Sequence, residues 1–250
     1  MHVSPPPFSS PADLSDLFAQ PSALFLDFDG TLAELASTPD AVVLPPSLPG
    51  MLGMLQQRFD GALAIVSGRP VAQLDAFLAP LQLTCAGTHG AERRLAGGPL
   101  VQMPVPSLTA VEAAAAALAA RDARLVVERK HGALALHYRQ APERAALCLD
   151  TMRAAAHDLP GVTVLHGKMV VEVKAANLDK GGAIHDFMHL SPFAGRIPVF
   201  IGDDVTDESG FAAVHAAQGI GIKVGAGTTL AGYRISDPAA VHLLLRQLLN

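Results

Sequence analysis

Charge is scarce in this chain of 250 residues: Lys, Arg, Asp and Glu make up 16% of it, against roughly 25% in an average soluble protein. What charge there is leans acidic, with 18 basic and 23 acidic side chains and a formal net charge of -5. No stretch of lysine or arginine is long enough to track a phosphate backbone, which argues against a nucleic-acid partner. Cysteine is nearly absent. Cys85 and Cys148 each sit inside an apolar run, so neither a disulfide framework nor a thiolate metal site is expected, and a reducing cytoplasm fits. Long apolar spans are missing too, although half the residues are hydrophobic and the mean hydropathy is +0.32. The run at 111–120 is rich in alanine and about half of the roughly 20 residues that a span needs. The run at 41–55 is interrupted by Pro45, Pro46, Pro49, Gly50 and Gly53. The hydrophobicity therefore belongs to core and helices, and no membrane partner is expected. The start, MHVSPPPFSS, lacks the basic and apolar regions of a signal peptide. Its prolines predict a flexible tail over residues 1–22.

What is present falls into two patterns. Short apolar runs at 24–27, 62–66, 83–87, 198–204 and from 219 onward read as buried strands, separated by helical patterns such as 71–78 and 211–217. Strands buried on both faces and alternating with helices imply a doubly wound, Rossmann-like α/β sheet. Between 93 and 174 the pattern changes to paired strands at 125–129, 133–138 and in the strings VTVLH and MVVEVK, with helices over 108–120 and 142–157. A hairpin is expected around Gly97 and Gly98. This middle stretch reads as an inserted α+β domain over 94–177, within a core formed by 23–93 and 178–250. The sequence sets no oligomeric state.

Chemistry gathers where the strands end, because ligands of an open α/β sheet bind beyond the carboxyl ends of its strands. Asp27 and Asp29 follow the first strand, and alternation turns both toward the same side. Asp203, Asp204 and Asp207 follow another. Five carboxylates on one rim repel unless they share a cation, and oxygen ligands with a phosphate partner favour Mg2+. Spacing alone does not say which of Asp203, Asp204 and Asp207 binds directly. Ser67, Gly68 and Arg69 form a strand-to-helix turn whose hydroxyl and N–H groups suit an oxyanion or phosphate. Lys180 opens a helix, where the macrodipole disfavours a cation, and a bound phosphate would explain it there.

The strings DFDGTLAEL, SGRP, DKGGA and GDDVTDESGF, in that order, resemble the four motifs of the haloacid dehalogenase superfamily of phosphohydrolases. GTHGAERR, HYRQAPE and GKMVVEVK are similar to strings of its trehalose-6-phosphate phosphatase family, and the likeness runs from Leu24 to about Leu249. The resemblance implies a phosphorylated disaccharide as substrate, with Asp27 as nucleophile and Asp29 as general acid and base. It implies Mg2+ held by the Asp27 carboxylate, the Asp29 carbonyl and Asp203, with Asp204 and Asp207 orienting its waters or Lys180. Ser67 and Lys180 would hold the phosphoryl oxygens, and Thr31 would steady the loop or touch the phosphate. The insert would be a cap over the site, with Glu128, Lys130, Arg139, Lys168 and Glu172 contacting sugar.

Two other patterns carry less. His89 and His137, each in or beside a strand, read as hydrogen-bonded structural residues. His185 and His189 are four apart on one helix but lack a third zinc ligand. A signalling receiver module shares an acid cluster, a hydroxyl and a lysine, but would be about half this length with its acceptor aspartate on a middle strand.

Overall fold

Apolar strands with no polar interruption need cover on both faces, and the computed structural model, which describes residues 7–35, 41–167 and 169–250, shows how they obtain it. The chain begins with α1 (Pro11–Ser15), β1 (Ser22–Leu26), α2 (Leu48–Arg58), β2 (Leu63–Val66), α3 (Val71–Leu78) and β3 (Thr84–Gly87), followed by a hairpin of β4 (Glu92–Arg94) and β5 (Val101–Gln102). An insert then supplies α4 (Thr109–Ala119), β6 (Val126–Lys130), β7 (Ala133–His137), α5 (Ala145–Ala156), β8 (Val162–Gly167) and β9 (Val170–Ala175). The first pattern resumes with α6 (Lys180–Phe187), β10 (Ile197–Gly202), α7 (Glu208–Ala216), β11 (Ile220–Val224), β12 (Tyr233–Ile235) and α8 (Pro238–Gln247).

Two compact units result, one of residues 1–101 with 179–250 and one of residues 102–178. Among the described residues, the first unit carries the sheet β12-β11-β10-β1-β2-β3-β4-β5. The six strands from β12 to β3 run parallel and β4 is antiparallel. Phe25, Phe28, Phe193, Phe200 and Phe211 are fully buried around it, and Phe25 stacks on Phe193 at 5.3 Å. Burying side chains of this size supplies much of the driving force for the fold.

Three details differ from the sequence pattern. The expected boundary at 93/94 lies several residues later, because β4 pairs with β3 and extends the main sheet. Arg94 fastens that hairpin by a two-pronged pair with Asp75 of α3, both contacts at 2.6 Å. The stretch expected as a tail is folded over residues 11–22, and residues 1–6 lie outside those described. Ser10 and Asp13 form a capping box, Pro11 opens α1, and Leu14 is buried in the core. Proline costs nothing in a first turn, whose N–H groups have no helical partner. For the same reason Pro49 lies inside α2, whose Leu48, Met51, Leu52 and Leu55 face the core.

The second unit is a four-stranded antiparallel sheet in the order β6-β7-β9-β8. Leu134, Leu136, Val171 and Val173 share a core with Val111 and Ala115 of α4 and Cys148 and Met152 of α5. Alternation turns the intervening residues to the other face. Register puts Glu128, Ala135 and Glu172 in one row and Lys130, Ala133 and Lys174 in the next. Among the described residues no helix is long and apolar enough to cross a membrane.

Candidate active site

Parallel pairing of β1 with β10, Leu26 beside Ile201, brings Asp27 and Asp203 to the same rim. The Asp27 N–H continues the ladder to the Ile201 carbonyl at 2.9 Å. The chain then turns back at once, as Leu32 and Ala33 donate to the Phe28 carbonyl and Gly30 donates to that of Ala33. Gly30 has φ +78°, and a Cβ there would collide with the Asp203 carboxylate. Only glycine lets the two acidic loops approach this closely.

Lys180 lies between two of the acids. Its Nζ donates to Asp27 Oδ1 and Asp207 Oδ1, each at 2.6 Å, and all three side chains are buried. Asp207 Oδ2 also accepts the Asp204 N–H at 2.9 Å. Oxygens of Asp27, Asp203 and Asp207 come within 4.8 Å of one another. Burial, and next the charge of Asp207, raise the Asp27 carboxyl well above the ordinary carboxylate range, with Lys180 pulling the other way. The same causes push Asp203 up to about 6. Burial works against the charge on Lys180, but Asp207 and Asp27 outweigh it and hold the ammonium above its usual value. Among the described residues Asp203 Oδ1 is buried without a hydrogen-bond partner. A close set of hard oxygens with one unfilled acceptor suits a divalent cation.

The rest of the rim is organised around a second ion pair. Ser67 Oγ accepts the Arg69 N–H at 3.1 Å, which rounds off the turn after β2. Arg69, which the sequence pattern assigns to the substrate, donates from Nε to Asp29 Oδ2 at 2.6 Å and from Nη2 to Asp29 Oδ1 at 2.7 Å. Its guanidinium lies over the rings of Phe28 and Phe77. Gly68 lies against the imidazole of His89. Asp179 caps α6 by accepting the Gly182 N–H at 2.8 Å. Thr31 is buried and donates to Asp27 Oδ2 at 3.3 Å.

On the first unit, Asp27, Thr31, Lys180, Asp203 and Asp207 thus form one cluster, while Asp29, Ser67 and Arg69 form a second group on the loops that follow β1 and β2. Asp204 does not join the acid cluster. Its exposed side chain turns to the Val205 N–H, capping the short helical turn that follows, because two adjacent residues on an extended backbone point opposite ways. The Asp29 carboxylate likewise faces Arg69 and not the cluster.

On the polar face of the second unit Lys130 Nζ lies 3.1 Å from Glu172 Oε1 and 3.6 Å from Glu128 Oε2. His137 Nε2 bonds Glu128 Oε2 at 2.9 Å. Burial alone would raise Glu128, but the His137 bond and the Lys130 charge outweigh it and hold its carboxyl below the usual range. Arg139 is exposed in the turn after β7, and Lys168 lies outside the described residues. His137, read from the sequence as a hydrogen-bonded residue, has Glu128 as its partner. The sequence pattern passes over one member of these networks. Lys223 is a lone cation in the apolar string GIGIKVG, and its ammonium contacts the Asp203 carbonyl.

Comparison with known proteins adds a family. Residues 25–238 match the model described as Trehalose-phosphatase. A protein of Escherichia coli named trehalose-6-phosphate phosphatase is 41% identical over 216 residues, covering 86% of this chain and 81% of that one. A Sinorhizobium fredii protein named probable trehalose-phosphate phosphatase is 43% identical over 205 residues, covering 81% and 77%. The structure of the C-terminal domain of Candida albicans trehalose-6-phosphate phosphatase superposes with a TM-score of 0.84 at 21% identity, covering 100% of this chain and 99% of that domain, a likeness of fold.

Proposed function

The chain belongs to the trehalose-phosphatase family, and on that premise we propose that it is a Mg2+-dependent phosphatase acting on trehalose 6-phosphate in the cytoplasm, through an aspartyl-phosphate. The observation that carries the proposal is the convergence of Asp27, Lys180, Asp203 and Asp207, from three separate stretches of chain, on a single cluster at the rim of the sheet.

Asp27 attacks phosphorus. A bond forms from its carboxylate oxygen as the bond to the sugar oxygen breaks, and Asp29 donates a proton to that oxygen so that trehalose leaves as a neutral alcohol. Water then attacks the phosphorus, Asp29 takes its proton, and breaking of the acyl-phosphate bond restores Asp27 and releases phosphate. Ser67 and Lys180 hold the phosphoryl oxygens, while Asp207 keeps Lys180 in place. Asp27, Asp203, Asp207 and the Asp29 carbonyl are the groups that would hold Mg2+. When bound, the ion supplies positive charge against the phosphoryl oxygens and lets the three acids stay ionised together. To give and take a proton at the reacting oxygens, Asp29 turns from the pair with Arg69 that occupies both of its carboxylate oxygens here. Glu128, Lys130, Arg139, Lys168 and Glu172 read the sugar hydroxyls, since a fixed hydrogen-bonding group strongly rejects a substrate that lacks its partner.

Turnover of trehalose 6-phosphate, glucose 6-phosphate and mannosylglycerate phosphate, measured side by side, tests the assignment. A preference of at least roughly a hundredfold for trehalose 6-phosphate is expected from polar recognition of this kind. Equal rates on all three would overturn it.

A further inference from the structure

A turn that carries none of the reacting groups touches both of the elements that carry the phosphate-binding candidates. After β3 the chain runs through Thr88, His89 and Gly90 with φ of +46°, +54° and +97°. Left-handed backbone is unfavourable for a side-chain-bearing residue, worst for a β-branched one, and persists only where its surroundings over-determine it. Two sets of contacts do so here.

The first set grips the Ser67 loop. The Thr88 N–H donates to the Arg69 carbonyl at 2.9 Å and the His89 N–H donates to the Ser67 carbonyl at 3.0 Å, so the turn holds the backbone on both sides of Gly68. The His89 ring closes over Gly68, where a Cβ would stand 2.8 Å from Cε1. Glu92, itself buried, accepts the Val71 N–H at 2.8 Å. Val71 opens α3, and its N–H has no partner within the helix, so the carboxylate supplies the missing acceptor and suits the positive end of the dipole.

The second set faces α6. A Cβ on Gly90 would lie 2.8 Å from the Asp179 carbonyl and 3.2 Å from Ala183 Cβ. Arg93 Nε donates to the Gly90 carbonyl at 2.9 Å, and its guanidinium pairs with Asp186 of α6. Lys180 is the first residue of that helix. The turn therefore lies between the loop of Ser67 and the helix of Lys180 and touches the backbone of each.

We infer that residues 88–92 are the positioning element that sets Ser67 and Lys180 at their separation, with Glu92 as its positioning residue. The inference rests on reading those two side chains as the phosphate-binding pair. Glu92 does not touch substrate in this role. It fixes the start of α3, and with it the stretch from Ser67 to Pro70, against a turn whose other side abuts α6. A displacement of about 1 Å in a group that holds the phosphate costs on the order of a hundredfold in rate.

The test compares Glu92→Gln with Glu92→Ala in the full chain with Mg2+. Three readouts are needed: turnover of p-nitrophenyl phosphate and of trehalose 6-phosphate, calorimetric titration with inorganic phosphate, and the thermal midpoint. Glutamine keeps an oxygen for the Val71 N–H and is expected to retain turnover within about threefold, a change that leaves phosphate geometry intact. Alanine is expected to lower kcat on both esters by roughly 10- to 100-fold and to weaken inorganic phosphate binding, with the ratio of the two ester rates unchanged. Equal loss in both variants, or normal phosphate affinity in Glu92→Ala, would overturn the inference. If Glu92→Ala does not fold, Gly90→Ala presses directly on the Asp179 carbonyl and should weaken phosphate binding in the same way. Normal affinity there would also overturn it. A wild-type chain that binds phosphate but ignores trehalose 6-phosphate would defeat the proposed function and leave the positioning test readable.

Discussion

Arg69 holds Asp29 with both prongs of its guanidinium, at 2.6 and 2.7 Å, while its flat face rests on Phe28 and Phe77. The pair links residues 40 positions apart, on the loops that follow β1 and β2. A carboxylate gripped by two parallel hydrogen bonds has little rotational freedom. The aromatic rings in turn limit the arginine, so Asp29 is held with both oxygens toward Arg69.

If Asp29 serves both proton transfers, the leaving group should reveal it. Asp29→Asn is expected to stop turnover of trehalose 6-phosphate, whose alkoxide must be protonated, by roughly 100-fold or more. With p-nitrophenyl phosphate, whose phenolate leaves unaided, the variant should release about one equivalent of nitrophenol per site and then stall at the phospho-enzyme. Stopped-flow absorbance gives the burst directly, and a steady aryl rate with no burst would refute the double role.

Asp27→Asn should eliminate phosphate release, by roughly a thousandfold or more, because an amide in place of the attacking carboxylate forms no acyl-phosphate. Lys180 keeps Asp207 as its partner, so the fold should survive. Phosphate release and circular dichroism check the two halves, and near-normal turnover would remove Asp27 from the nucleophile's place.

Chelation should abolish activity and added Mg2+ restore it. Activity aside, Mg2+ should raise the thermal midpoint, because the cation binds the folded acid cluster and not the unfolded chain. At a hundred times the dissociation constant the gain is about 2.7 kcal/mol. Asp203→Asn, which removes the acid pushed up to about 6, should lose most of that response. A midpoint insensitive to Mg2+ in the wild type would rule out the site.

Glu128 permits a test of the second unit. Glu128→Ala should slow trehalose 6-phosphate by roughly 10-fold or more and spare p-nitrophenyl phosphate, which has no sugar hydroxyls to recognise. Equal losses on both would show that the residue does not read sugar.

The same residue makes a prediction about acid. Its carboxyl is held below the usual range in the folded chain, so its stabilisation is complete above the ordinary glutamate range and disappears as pH falls through the lowered value. Urea unfolding of the wild type should therefore lose more stability between about pH 6 and about pH 3 than that of Glu128→Gln, by about 1 kcal/mol. An identical acid response in the two would show that the His137 and Lys130 contacts are not felt.

Much of this molecule is legible in its sequence, for local reasons. The strings ending in Asp27, Ser67 and Asp203 are apolar runs that stop at polar loops, so the strands and their functional ends are marked by the same few residues. Lys180 stands out because a cation in a first helical turn works against the dipole. The alternation of Glu128 with Lys130 places both on one face without any knowledge of the sheet.

The tertiary structure decided what depends on contacts between distant segments. Nothing in the string SGRP says that Arg69 turns back to Asp29, because that pairing exists only once β1 and β2 lie side by side. Asp204 and Asp207 look equivalent in GDDVTDE, yet the helical turn between them sends Asp207 inward to Lys180 and leaves Asp204 as an exposed cap. The hairpin after β3 reads as part of the insert until its strand order joins it to the main sheet. Proline at Pro11 and Pro49 reads as interruption until the helix it opens finds a core to bury Leu14 or Leu52. Sequence determined which groups and which elements this protein has, since propensity and charge act over a few residues. Packing determined which of those groups meet, since strand order and burial act across the whole chain.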